Sequence, residues 1–293
     1  MTSYHEALHT ILDNVDPRTA TTVFTSEARG LYLAEEVLAP IDSPPFDDSA
    51  VDGFAVIASD TPGTLRLVGS VYAGDDPAAS ECKPGTCVKT MTGAGIAPGA
   101  DAVVMQEDTS VVGDAVEVKI KKTSGANIRK CGAEFHAGDL VLHKGSHLNP
   151  ASLSLAGSLG MAELRVHAPP RVGVLVTGEE LVAPGETIKP GQRYESNSIA
   201  LAAMAQGLTG RPAVVKRVGD DAAATKRVVE EMLSECDVLV TSGGASVGEK
   251  DLVRGTLAAC GAKEFFWGVS IKPGKPVSFS VAPTGCRVFA LPG

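Results

Sequence analysis

One stretch constrains the fold of this chain more than any other: Asp237-Val238-Leu239-Val240-Thr241-Ser242-Gly243-Gly244-Ala245-Ser246-Val247-Gly248-Glu249-Lys250-Asp251. Apolar, mostly β-branched residues run into a loop of small residues that ends in an acid, and a new apolar-periodic segment follows. This is the outline of a buried parallel strand, a glycine-rich loop at its C-terminal end and a helix start. Glycines there let a ligand approach the backbone, and free N–H groups beside a helix N-terminus favour an anion. An ordinary tight strand–helix connection has the same outline, so the loop alone does not choose between them.

The surrounding texture extends the pattern. After Pro169-Pro170 come a strand at Val172–Val176, a helix near 197–207 and a strand at Val214–Val218. A helix near 222–234, the strand at 237–241 and a helix near 251–260 follow. This alternation predicts a doubly wound parallel sheet over 169–293, with helices on both faces. Residues 3–40 read as helical, because Ala7, Leu8, Ile11, Leu12 and Val15 recur at helical spacing up to Pro17. A second short helix is expected after Thr25-Ser26-Glu27. From 46 to 145, short β-like runs between turns predict a small, mainly antiparallel β domain. Asn149-Pro150 then starts a helix that runs through Leu159 to Gly160. The expected fold class is α/β multidomain, with an elongated helical part (1–45 and 140–168), a small β domain (46–139) and the α/β domain (169–293).

Composition narrows the partners. Hydrophobic residues make up 44% of the 293 and charged residues 21%, which marks a globular chain. The net charge of −9 and the 4% aromatic content argue against nucleic acid or an anionic membrane as partner. The six cysteines form no CxxC pair and no zinc-like spacing, as expected of a reducing, cytoplasmic setting. His143 and His147 fall on a strand and turn and would not share a helical face, so no metal role is expected of them. The N-terminus has no signal-peptide hydrophobic region, and no apolar run approaches membrane-spanning length.

Ligands of an open parallel sheet bind beyond the C-terminal ends of its strands. Three predicted strands end in acidic loops: Thr177-Gly178-Glu179-Glu180-Leu181, Gly219-Asp220-Asp221, and the opening loop with Asp251. Carboxylates converging on one rim either repel, raising a pKa, or share a hard cation such as Mg²⁺. Each has a plainer alternative. Asp220 or Asp221 could cap the following helix, Asp251 could do the same, and Glu179 could be solvated. Further on, Ile271-Lys272-Pro273-Gly274-Lys275-Pro276 holds two ammonium groups together on a stiff loop, which suits an oxyanion or a solvated basic turn. In the β region, Asp47, Asp48 and Ser49 could be turn residues, and the glycines of Met91-Thr92-Gly93-Ala94-Gly95 could explain that segment alone.

Together these segments closely resemble the MoeA-type molybdopterin molybdenumtransferases, the family that includes the E domain of gephyrin. The matching runs are PPFDDSAVDGFAV (44–56), MTGAGIAPGADAVVMQE (91–107), NIRKCGAEFHAGD (127–139), VTGEEL (176–181), TSGGASVGEKD (241–251) and IKPGKP (271–276), in family order. The resemblance implies insertion of molybdate into the dithiolene of adenylyl-molybdopterin with release of AMP, assisted by Mg²⁺. It also implies a homodimer whose active site lies between the α/β domain of one subunit and the β domain of its partner. Carried over by position, Asp52, Thr92 and Glu134 belong to the β-side motifs. Glu180, Asp220 and Asp251 belong to the α/β rim and are the implied metal ligands. Ser242, Gly243, Gly244 and Ser246 would cradle phosphate or adenylate, and Lys272 and Lys275 would meet phosphate or molybdate. No covalent nucleophile is expected.

Two departures stand out. The basic residue that the family often carries before K-P-G-K-P is missing from Phe265-Phe266-Trp267-Gly268-Val269. Family members also continue L-P-G as L-P-G-N-P-V-S, then a helix and a small β domain, whereas this sequence stops at Gly293. A fragment, a truncated form or a degenerate paralogue is therefore expected, with a sheet edge left open. Beside the transferase stand a non-catalytic molybdopterin-binding or scaffold module and the related molybdopterin adenylyltransferase. The motifs at 44–56 and 91–107 argue against the last.

Overall fold

The computed structural model describes residues 1–219, 221–243 and 252–293. The chain is α/β, with mixed sheets and few helices, and divides into two compact units. One comprises 35–144 and 154–162; the other comprises 1–34, 145–153 and 163–293.

The first unit is built on a six-stranded sheet in the order Ala102–Met105, Gly53–Val56, Thr86–Thr90, Gly63–Val71, Ala115–Val118, Thr109–Val112. All neighbours are antiparallel except Gly63–Val71 with Thr86–Thr90. Both faces are apolar. Phe54, Val56, Cys87 and Val104 bury one of them, and Ala55, Val88, Val103 and Val71 the other. A sheet covered on both faces reads as continuous hydrophobic runs rather than alternation, and Gly53–Val56 is buried throughout.

The second unit carries the predicted α/β sheet. Its strands lie in the order Val214–Val218, Val172–Thr177, Val238–Ser242, Arg287–Leu291, Ser278–Val281, Lys263–Trp267. Neighbours among the first four are parallel. Ser278–Val281 runs against them, so the sheet is mixed, not wholly parallel as expected. The physical reason is connection length: a parallel crossover needs a dozen or more residues, and residues 268–277 are too few for one.

Helices Ala222–Glu235 and Leu252–Ala259 cover one face through Val229, Met232, Leu233, Val253 and Leu257, packed on Leu175, Leu239 and Val288. Helix Asn197–Thr209 covers part of the other. Asp221 caps the helix that follows, accepting 2.6 Å from the Ala224 N–H.

A further expectation is corrected. The helical reading of 3–40 holds only for Tyr4–Leu12, which Ser3 and Glu6 start with a reciprocal capping box. Beyond it, Ala20–Phe24 and Tyr32–Leu33 flank Glu163–His167 in a three-stranded sheet, and Thr25–Glu27 is one 3₁₀ turn. The last strand, Arg287–Leu291, is paired on both sides, and the edges of the sheet are Val214–Val218 and Lys263–Trp267. What lies open is a sheet face, a groove of about 560 Å³ whose lining includes Met204, Leu208, Val238, Val240, Phe289 and Leu291.

Helix Tyr4–Leu12 is held by Ala7 and Ile11 against Phe266, Val269 and Phe279. Phe279 is fully buried, with the rings of Phe265, Phe266 and Phe289 5.7, 6.0 and 5.1 Å away. Phe279→Ala is expected to cost about 3–5 kcal/mol and to expose the N-terminal helix to protease. Urea denaturation and limited proteolysis measure both, and a midpoint within error of wild type would contradict this packing account.

Candidate active site

Strand register decides what shares a rim. Val176 pairs with Ser242 and Ser242 with Leu291, while Thr177 pairs with Val218 and Ala290 with Ser278. The loops after Thr177, Val218 and Ser242, and the loop before Ser278 that carries Lys272 and Lys275, therefore leave the sheet at one level. Two strand spacings, roughly 10 Å, separate the row of Ser242 from that of Ser278.

Thr177, Glu180, Glu195, Asn197, Ser242 and Gly243 line a cleft of about 130 Å³ at this rim. That is room for an oxyanion or a hydrated cation. Ser242 is buried, and its Oγ accepts 2.7 Å from Asn197 Nδ2. Gly243 has φ +88°, and a Cβ there would lie 2.8 Å from Thr177 Oγ1. Its N–H is not free for an anion, because it donates 3.2 Å to Leu291 O; Gly243 contributes its conformation to the turn instead. The exposed Glu180 folds its carboxylate back over Gly178, where an added Cβ would lie 2.7 Å from Oε2. The Glu180 carbonyl accepts 2.8 Å from Arg193 N–H, which ties this loop to the segment leading into helix Asn197–Thr209.

The lysine loop is pinned at its base. Gly268 N–H donates 2.9 Å to Val277 O and Val269 N–H donates 2.9 Å to Lys275 O, while Ser270 N–H reaches Thr2 O. Lys272 and Lys275 are both exposed on it. Asp220, Gly244, Ser246 and Asp251 lie outside the described residues.

The β unit gathers its own motifs. Gly53 pairs with Thr90, which brings the next turns together. There Asp52 Oδ1 accepts 2.8 Å from Thr92 N–H and 3.0 Å from Thr92 Oγ1. Asp48 is buried and accepts 2.8 and 2.6 Å bonds from both arms of Arg129, holding that guanidinium above its ordinary pKa. Asp47 takes Lys130 Nζ at 2.6 Å and Cys131 N–H at 2.9 Å, and Glu134 Oε2 accepts 2.8 Å from Ser43 Oγ. Asp47 and Asp48 are thus not plain turn residues; they clamp segment 127–139 onto segment 44–56.

Thiol chemistry is disfavoured throughout. Burial pushes Cys87 and Cys286 up to about 12, and desolvation, then Asp42, raises the exposed Cys131. Among the described residues no cluster of His, Cys, Asp and Glu is shaped to hold a metal, and no helix is long and apolar enough to cross a membrane. Sequence reasoning missed Asn197. Its only signal was a polar residue opening a predicted helix, with nothing to tie it to Ser242, 45 positions on.

Comparison with known proteins places this chain in a family. Residues 2–160 match the MoeA N-terminal region (domain I and II), and 173–293 match the probable molybdopterin binding domain. A molybdopterin molybdenumtransferase of Haemophilus influenzae is 38% identical over 256 residues, covering 86% of this chain and 63% of its own. Molybdopterin molybdenumtransferase 2 of Mycobacterium tuberculosis is 37% identical over 286 residues, covering 93% and 70%. A crystal structure of the molybdopterin biosynthesis MoeA protein of Pyrococcus horikoshii OT3 superposes with a TM-score of 0.82 at 33% identity, over all of this chain and 74% of that one. The chain belongs to the MoeA family, and it spans roughly two thirds of the length of these relatives.

Thr92 N–H is the first cause, and its hydroxyl the second, of a lowered Asp52 pKa. Because the folded value is depressed, the stabilisation is present at neutral pH and lost as pH falls through the folded pKa. Thr92→Ala leaves the backbone donor, so the Asp52 midpoint followed by carboxyl NMR should rise only part of the way to the ordinary aspartate value. A complete return would assign the whole effect to the hydroxyl.

Proposed function

We propose that this chain acts as a molybdopterin molybdenumtransferase, inserting molybdate into adenylyl-molybdopterin with release of AMP. The observation that supports it most is the register that aligns Glu180, Ser242–Gly243 and the Lys272–Lys275 loop along one rim. In this reading the ammonium groups of Lys272 and Lys275 and the Ser242 hydroxyl meet anionic oxygens, where such donors stabilise developing charge. Gly244 and Ser246 complete the cradle, and Asp52 and Thr92 act from the β side. The rim offers carboxylate and hydroxyl oxygens, the donors Mg²⁺ takes. Glu180, Asp220 and Asp251 would hold the ion, which when bound supplies Lewis acidity toward the phosphoanhydride. The reading includes a homodimer in the cytoplasm and the division of labour among 1–45 with 140–168, 46–139 and 169–293.

The test is to supply purified chain with adenylyl-molybdopterin, Mg²⁺ and molybdate, and to measure AMP. Molybdate-dependent AMP release is expected, and Asp251→Asn should abolish it. Tight binding without AMP would replace the transferase by a binding module, and adenylylation of free molybdopterin by ATP would replace it by an adenylyltransferase.

A further inference from the structure

The rim cleft contains one side-chain contact that no sequence motif explains. Asn197 Nδ2 donates 2.7 Å to Ser242 Oγ, and Ser242 is only 3% exposed. A hydroxyl has one hydrogen to give and two lone pairs to accept with. With Asn197 filling a lone pair, the O–H hydrogen cannot point at Asn197 and is left to donate elsewhere. Among the described residues, Ser242 Oγ has no other hydrogen-bond partner. No described residue accepts that hydrogen, and a bound oxygen in the cleft would satisfy it.

Asn197 is itself held in place. It opens helix Asn197–Thr209, and the preceding Glu195 is buried, with its carboxylate accepting from Ser198 N–H (2.7 Å) and from Ser198 Oγ. Glu195 N–H donates 2.9 Å to Val182 O, in the same strand pair that fixes the Glu180 loop. One short sheet thus places Asn197 and Glu180 on the same cleft.

We infer that Asn197 is a positioning residue. It holds the Ser242 hydroxyl as a donor, so that the cleft takes a tetrahedral oxyanion, phosphoryl or molybdate. The inference rests on the proposed role of Ser242 as a ligand contact. It also predicts an inversion: Asn197→Asp keeps the side-chain size but turns the donor into an acceptor. The Ser242 hydrogen would then point at the new carboxylate, its lone pair would face the ligand, and a negative charge would be added.

The test titrates AMP and molybdate separately against wild type, Asn197→Ala, Ser242→Ala and the double variant, with thermal midpoints as the folding control. For the oxyanion that Ser242 meets, each single variant should bind about tenfold weaker and the double variant no weaker than either, the signature of coupled residues. Which probe shows this coupling tells phosphoryl from molybdate. Asn197→Asp should bind at least tenfold weaker near neutral pH. It should recover toward wild type as acid protonates the carboxyl into a donor, a pH response that a merely structural role would not give. Additive losses in the double variant, or wild-type affinity in Asn197→Asp, would overturn the positioning role and leave the Ser242 contact standing. An unaffected Ser242→Ala, or a wild type that binds neither probe, would overturn that contact and this inference together.

Discussion

The register of strand Val238–Ser242 is the constraint on which the rest of the α/β unit depends. Ser242 lies between Val176 and Leu291, and every functional loop of the unit takes its level from those two pairings. A slip of one residue would turn Leu239 out of its core and Val240 into it, inverting a face that packs Met232, Val229 and Leu257. The slip would also carry Ser242 to the opposite face, away from Asn197. Hydrophobic burial therefore fixes polar geometry: the side chains that fill the interior hold a hydroxyl in place at the rim.

The β unit reaches preorganisation by another route. Asp47 and Asp52 lie at or near the surface and Asp48 is buried, and each carboxylate is held by a donor from a distant segment: Asp52 by Thr92, Asp48 by Arg129, Asp47 by Lys130 and Cys131. The exposed pairs among them add little stability. Their value is directional. They fix the polar side of turns whose Val51, Ala94 and Ile128 pack into the core, and the orientation of Asp52 is set by the N–H and hydroxyl of Thr92.

The parts legible in the sequence were those where a local rule and the tertiary fold agree. The run 172–176, the capped helix after Asp221 and the Asn149-Pro150 start all formed as read, because burial on both faces and end-capping leave direct traces in residue type. Residues 20–33 misled because their pairing partner, Glu163–His167, lies some 140 positions away. Helical spacing in Ala7–Leu12 gave no information about what followed. The direction of Ser278–Val281 was hidden for a similar reason: strand texture carries no sign, and only the length of the preceding loop does. The rim followed from the alternation of strands and helices, but the donor that orients Ser242 did not. A side chain–side chain bond across 45 residues leaves no periodicity to read.

The charge balance of the cleft limits what can enter it. Glu180 and Glu195 both line a space proposed for an oxyanion, in a chain of net charge −9. Two like unit charges 4 Å apart repel by ~4 kcal/mol at an effective dielectric of 20, more than one hydroxyl hydrogen bond returns. Glu195 shares in the difficulty, because Ser198 engages its oxygens without neutralising their charge. Glu180 adds to it, exposed and folded over Gly178. An anion can share the cleft with them only if positive charge stands nearby, from the lysine loop on the same rim or from a hard cation bridging carboxylate and ligand. A cleft with these acids, one oriented hydroxyl and an ammonium-bearing loop at the same level is arranged for an anion that arrives with, or beside, a cation. On their own, the acids would exclude it.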